Sequence, residues 1–124
     1  TILKAQRAQD KASSVGFDWD SINSVKSKLQ EEMKELNIEV KGKNRDKIED
    51  EFGDVLFTLI NYSRFLKIDP ELSLKKSTEK FIGRFKILEK IIRKKQQQIN
   101  QIDKDELELI WEESKEIFNS NKMT

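Results

Sequence analysis

The chain has 124 residues, with 24 Lys+Arg against 23 Asp+Glu for a net charge of +1; 38% of it is charged and only 35% hydrophobic. That length fits a single domain over residues 1–124, and so even a balance gives no broad field to hold nucleic acid or an anionic membrane. With no Cys and no His, disulfides, thiolate zinc sites, cysteine nucleophiles and imidazole bases are excluded, and any metal has to be a hard, oxygen-bound cation such as Mg²⁺ or Mn²⁺. No apolar run approaches the roughly 20 residues of a bilayer span, and no secretory signal precedes the first periodic segment. A cytoplasmic location is the expectation. Because the chain opens on Thr1 rather than Met, it is expected to be a piece of something longer.

One Pro and four Gly in the whole sequence favour helices over strands. Apolar spacing predicts five. The first runs from about Ile2 to Ser14 and stops at Gly16, a C′ glycine. The second opens near Asp18–Ser21, with Asp20 or Ser21 as cap, and carries Ile22, Val25, Leu29, Met33, Leu36 and Val40 at three-four spacing until Gly42 ends it. The third is entered at Asn44 and runs to about Leu66. Asp69-Pro70-Glu71 reads as cap, N1 proline and first-turn acid of the fourth, whose stripe is Leu74, Phe81, Phe85, Leu88 and Ile92. The stretch from Arg93 to Gln98 reads as its solvated end, and Asp103 caps a fifth helix with Leu107, Ile110, Trp111, Ile117 and Phe118. The expected fold is an all-α antiparallel bundle of about five helices.

Two of these helices carry acids in unusual places. On the second, Glu31-Glu32-Met33-Lys34-Glu35 puts Glu32 at the edge of the apolar stripe, roughly 40° from Leu36. Taken alone, that motif reads first as an ordinary solvated Glu-rich face. The third helix is apolar over most of its circumference, through Val55-Leu56-Phe57, Leu59-Ile60 and Tyr62, which predicts a central, buried helix. A single polar file, Glu51, Asp54, Thr58 and Asn61, runs along it. Buried acids are costly unless paired. A short connection from Gly42 to Asn44 makes the two helices antiparallel neighbours, so Glu32/Glu35 can face Glu51/Asp54, the way helical bundles build carboxylate metal sites.

Several other residues gain meaning if such a site exists. Lys80 and Arg84 share a face of the fourth helix and read either as surface cations or as phosphate ligands opposite the metal. Arg64 and Lys11 could join them. Trp19 and Trp111 are expected in the core, with a wall of a base pocket as the alternative. Gly53 lies inside a helix between the acids, where a close approach by a backbone or ligand would explain it, or nothing would.

These blocks resemble the MazG family of all-α nucleoside triphosphate pyrophosphohydrolases. The likeness is carried by Gln9-Asp10-Lys11-Ala12, Val15-Gly16-Phe17-Asp18-Trp19, Glu31-Glu32-x-x-Glu35 and Glu51-Phe52-Gly53-Asp54-Val55-Leu56-Phe57. It continues through Asn61-Tyr62-Ser63-Arg64, Ile68-Asp69-Pro70-Glu71 and Lys80-Phe81-x-x-Arg84-Phe85. It is greatest to the C-terminal catalytic domain of tandem MazG proteins. The resemblance implies hydrolysis of nucleoside triphosphates to monophosphate and pyrophosphate with Mg²⁺, in a homodimer. It implies Glu32, Glu35, Glu51 and Asp54 as metal ligands, Glu31 as an auxiliary acid, Lys80 and Arg84 on phosphates, and Asn61 and Lys11 near the nucleotide. Trp111 and Lys115 match a C-terminal Trp and Lys that reach the nucleotide in relatives. Thr78 departs from the Asn common there, which puts a sugar or base contact at that position in doubt. Other readings are a relative specialised for dUTP, dCTP or phosphoribosyl-ATP, and a non-catalytic dimerisation or regulatory module.

Overall fold

In a computed structural model, which describes residues 1–123, the protein is all-α. Five helices follow in order: α1 Ile2–Ser14, α2 Ile22–Gly42, α3 Arg45–Leu66, α4 Pro70–Lys94 and α5 Lys104–Met123, with a short 3₁₀ turn, Ile99–Gln101, before the last. The anticipated caps are in place. Ser21 Oγ accepts from the Ser24 N–H at 3.3 Å and Asn44 Oδ1 from the Lys47 N–H at 3.2 Å. Asp69 Oδ1 accepts from the Glu71 N–H at 3.0 Å and Asp103 Oδ1 from the Glu106 N–H at 2.8 Å. Each satisfies a donor that a helix start leaves open. Gly16, at φ +87°, adopts the left-handed conformation expected of it after α1. The same role after α2 and α3 falls to Lys43 and Lys67, both left-handed, a use that lysine composition gives no hint of.

The chain forms two compact units, residues 1–73 and the remainder from Leu74 onward. In the first, α2 and α3 are an antiparallel pair joined through Lys43 and Asn44, and α1 packs on α3. Val25 is fully buried there, a burial that contributes about 1.5–3 kcal/mol. In the second, Leu88 and Ile92 of α4 pack with Ile102 and Ile110, flanked by Phe85, Ile91, Leu107 and Trp111. Gly83 lies directly under the Phe118 ring, where an added Cβ would come within 2.5 Å of Phe118 Cε2. No described helix is long and apolar enough to cross a membrane.

Two expectations about burial are corrected. The apolar circumference of α3 predicts a buried helix, yet Phe52 is 54% exposed, and Leu56, Phe57 and Leu59 are exposed as well. Its buried residues are the polar Thr58, Asn61 and Ser63. The reason is directional: α1 and α2 cover the end of the polar file at Thr58 and Asn61, with Glu51 half-buried and Asp54 exposed, and most of the greasy side faces away from them. Trp19 is also no core residue, being 41% exposed in the connection between α1 and α2. Trp111 is half-buried against the second unit's core, with its ring 5.6 Å from that of Phe81.

Gly53 has no steric reason within the chain, since an added Cβ meets nothing within 4 Å. Gly53→Ala is therefore expected to stabilise the protein by up to about 1 kcal/mol through helix propensity. A rise in the urea midpoint would show it, and a fall would mean that something outside the chain occupies that space.

Candidate functional site

The α2–α3 hairpin brings the predicted acids together. Glu32 points from α2 into the interface with only 6% of its surface exposed, and Glu35, one turn on, is half-buried. Glu51 meets them from α3. Glu32, Glu35 and Glu51 each offer a carboxylate oxygen within 4.8 Å of the others. Asp54 joins through a second trio, Asp50, Glu51 and Asp54, whose carboxylate oxygens also approach one another within 4.8 Å. Glu51 is thus the shared member. Glu31 lies outside this centre, exposed on α2 at 3.5 Å from Lys28 Nζ.

The electrostatics describe a centre short of positive charge. Glu51 is pushed up to about 7, first by burial, then by the adjoining Glu32 carboxylate and by the charges of Glu35, Glu32 and Asp54. Asp54, an exposed residue, is also raised, by partial loss of water around its carboxyl and then by the neighbouring Asp50 and Glu32. Glu32 is held below the usual carboxylate range, mainly by Lys28, whose ammonium lies 2.8 Å away one turn back. Even so, Glu32 Oε2 and Glu51 Oε2 are buried with no hydrogen-bond partner. Two orphaned acidic oxygens on facing helices, beside a third carboxylate, are a donor set that suits a hard divalent cation. No imidazole or thiolate competes for that role.

Other predicted residues in the first unit are placed as follows. Asn61 is buried on α3, and its Oδ1 accepts a short hydrogen bond from Arg64 Nη1. Arg64 does not point freely toward a ligand. Its Nε reaches Asp10 Oδ1 at 3.1 Å and its Nη2 reaches Asp18 Oδ2 at 3.1 Å. Lys11 is exposed on α1. In the second unit, Lys80 is exposed, while Arg84 donates to Asn119 Oδ1 at 3.1 Å and stacks 5.5 Å from the Phe118 ring centre. Lys115 pairs with Glu112 at 2.9 Å. Trp111 lines an apolar cavity of about 360 Å³ with Phe81, Phe85, Leu88 and Leu107.

Sequence reasoning left out Lys28 and Asp50, and it quoted Asp10 and Asp18 in the family blocks without giving them a role at the site. Lys28 could have been found, because Lys28 and Glu32 stand at the i, i+4 spacing that pairs side chains on a helix. Asp50 sits beside Glu51 but about 100° round the helix, so periodicity hides it. The partners of Arg64 come from 46 and 54 residues away, beyond any local pattern.

The sequence profile of the MazG nucleotide pyrophosphohydrolase domain matches residues 20–99. The chain belongs to the MazG family. Within the MazG match fall both acid pairs, Asn61, Arg64, Lys80 and Arg84, whereas Lys11, Trp111 and Lys115 lie outside it. The chain is 43% identical over 114 residues to the nucleoside triphosphate pyrophosphohydrolase/pyrophosphatase MazG of Thermotoga maritima, covering 92% of this chain. It is 34% identical over 116 residues to the nucleoside triphosphate pyrophosphohydrolase of Escherichia coli K12. In both cases it spans 44% of the relative's length. A Bacillus subtilis protein, YabN, is 37% identical over 66 residues, 14% of its own length.

Proposed function

We propose that this chain is the catalytic part of a cytoplasmic, Mg²⁺-dependent enzyme that hydrolyses nucleoside triphosphates to nucleoside monophosphate and pyrophosphate. The observation that carries the reading is the pair of orphaned carboxylate oxygens on Glu32 and Glu51, set against Glu35 in a MazG chain. Both long MazG relatives bear the name of that activity.

Glu32, Glu35, Glu51 and Asp54 hold the cation, for which Mn²⁺ is the alternative. When bound, it supplies Lewis-acid polarisation of phosphate oxygens and a more acidic water. A cation held there would favour the ionised form of Glu51, because an adjacent positive charge offsets the neighbouring carboxylates that raise it. Glu31, exposed beside the centre, serves as the auxiliary acid that orients water. Water forms a bond to the α-phosphorus while the bridge to the β-phosphate breaks, with Lys80 and Arg84 on the departing pyrophosphate. Asn61, Lys11, Trp111 and Lys115 complete the nucleotide contacts, as the family likeness suggests. No covalent intermediate is needed. The exposed Phe52, Leu56 and Leu59 favour a homodimer that covers them.

The test is a panel of ribo- and deoxyribonucleoside triphosphates, with dUTP, dCTP and phosphoribosyl-ATP included, read by pyrophosphate release with and without Mg²⁺. Release from several triphosphates only with Mg²⁺ is expected. Turnover of a single member would replace broad hydrolysis by a specialised activity, and none at all would leave a non-catalytic module.

A further inference from the structure

The geometry points to Arg64 as a positioning residue that locks the Asn61 amide in one orientation, so that Asn61 offers the nucleoside part of the substrate a hydrogen-bond donor. This rests on the proposed activity for the identity of the ligand, but the lock itself does not.

Three contacts fix the guanidinium. Asp10 takes its Nε at 3.1 Å, Asp18 takes Nη2 at 3.1 Å and Nη1 at 3.4 Å, and the third contact is the bond from Nη1 to Asn61 Oδ1. The Arg64 side chain is only 16% exposed, and Asp18 is itself anchored by the Trp19 N–H at 2.8 Å. A planar fork held by two carboxylates from different segments has little freedom to turn. Guanidinium groups only donate, so the amide atom facing Arg64 has to be the oxygen. The opposite end of Asn61 is therefore the NH₂ group.

Asn61 stands on the face of α3 that carries Glu51 and Asp54. Asn61 and Asp54 are seven residues apart, which places them about 20° apart around the helix and about 10 Å apart along it. A separation of that order suits a nucleotide whose α-phosphate lies at the acids and whose sugar or base extends along α3. Asn61 is buried, so its amide lies in a low-dielectric position where the sign of the presented dipole matters most. An unlocked amide would offer the ligand its oxygen part of the time, and an acceptor group on the nucleoside would then meet an acceptor. Arg64 prevents this without touching the substrate. The direct phosphate contact first considered for Arg64 needs the guanidinium released from both acids.

Four variants assayed by initial rates and by binding of a non-hydrolysable α,β-methylene triphosphate test the proposal. Asn61→Asp keeps the oxygen toward Arg64 and exchanges the donor for an acceptor, so KM is expected to rise at least about tenfold with kcat changed less than about twofold. Arg64→Gln should do the same, and the double variant Asn61→Ala/Arg64→Gln should be no worse than Asn61→Ala alone. Asp18→Asn, which loosens the fork at a distance, should raise KM severalfold. A direct phosphate contact predicts the opposite for Asp18→Asn, with KM unchanged or lower, and that result overturns the proposal. In the ligand-free protein, the Asn61 side-chain amide should give one sharp pair of NMR resonances that broadens in Arg64→Gln. An unaffected pair overturns the lock whatever the kinetics show. Wild-type hydrolysis with normal KM in Asn61→Asp overturns this inference alone, whereas an inactive wild type removes the proposed function along with it.

Discussion

Replacing Glu51 by Gln is expected to lower Mg²⁺-dependent pyrophosphate release by about 1,000-fold, because a cation contributes several kcal/mol of charge stabilisation and each 1.4 kcal/mol is about tenfold in rate. Glu51 is the one carboxylate common to both acid trios, so its loss disrupts the whole centre rather than an edge of it. Asp54→Ala should follow with a comparable loss. Far-ultraviolet circular dichroism should stay unchanged in both, since neither residue caps a helix or fills a core. The unusual part of the expectation concerns stability. The Gln amide brings a donor to a place where Glu32 Oε2 and Glu51 Oε2 have none, and removes a charge that its surroundings disfavour. Metal-free Glu51→Gln should therefore melt higher than metal-free wild type at about pH 8. A variant that retains full activity, or melts lower, would contradict the assignment of Glu51 to a metal centre.

The second large effect is a pH-dependent linkage between metal and stability. Glu51 has a folded value of about 7 against an ordinary 4.5. A raised acid binds its proton more tightly in the folded state, so the stability it contributes is complete below 4.5 and is lost as the pH rises to about 7. Asp54 acts in the same direction. Glu32 is depressed and acts in the opposite sense, contributing above 4.5 and losing that contribution as the pH falls further. Between about pH 5 and pH 8 the raised groups dominate, and the melting temperature of the metal-free protein should decline relative to Glu51→Gln. Mg²⁺ should reverse the trend, since ionised carboxylates bind it and protonated ones do not. At a hundred times its dissociation constant it should add about 2.7 kcal/mol, roughly a 10 °C rise in melting temperature for a domain of this size. Differential scanning calorimetry at several pH values would measure it. A Mg²⁺ effect that is flat across this range would separate the pKa of Glu51 from metal binding.

The helices were legible because their signals are local. Ser21, Asn44, Asp69 and Asp103 each sit just before the apolar periodicity they open, and each caps the helix that follows. The two acid pairs were legible for a related reason: three-residue spacing on two helices with a short connection leaves little choice of facing. The identity of the buried face of α3 was not. Periodicity shows that one side is apolar and another polar, but the direction of burial depends on where α1 and α2 lie, a long-range fact. The same holds for Arg64, which a sequence offers as a free cation and the fold surrounds with Asp10 and Asp18. Trp19 was misjudged because aromatic residues are usually sheltered, whereas this one lies in an exposed connection.

Lys28 changes what loading the centre would mean. Its ammonium already rests 2.8 Å from Glu32, so a divalent cation bound at the proposed centre would exchange with a tethered charge instead of entering a bare cluster of acids. The exchange costs a salt bridge, which tempers affinity, and it leaves behind a lysine that stays attached one turn away. The protein in effect carries its own placeholder. Without a metal, the Lys28 ammonium offsets part of the repulsion that would otherwise push Glu32 away from Glu35 and Glu51.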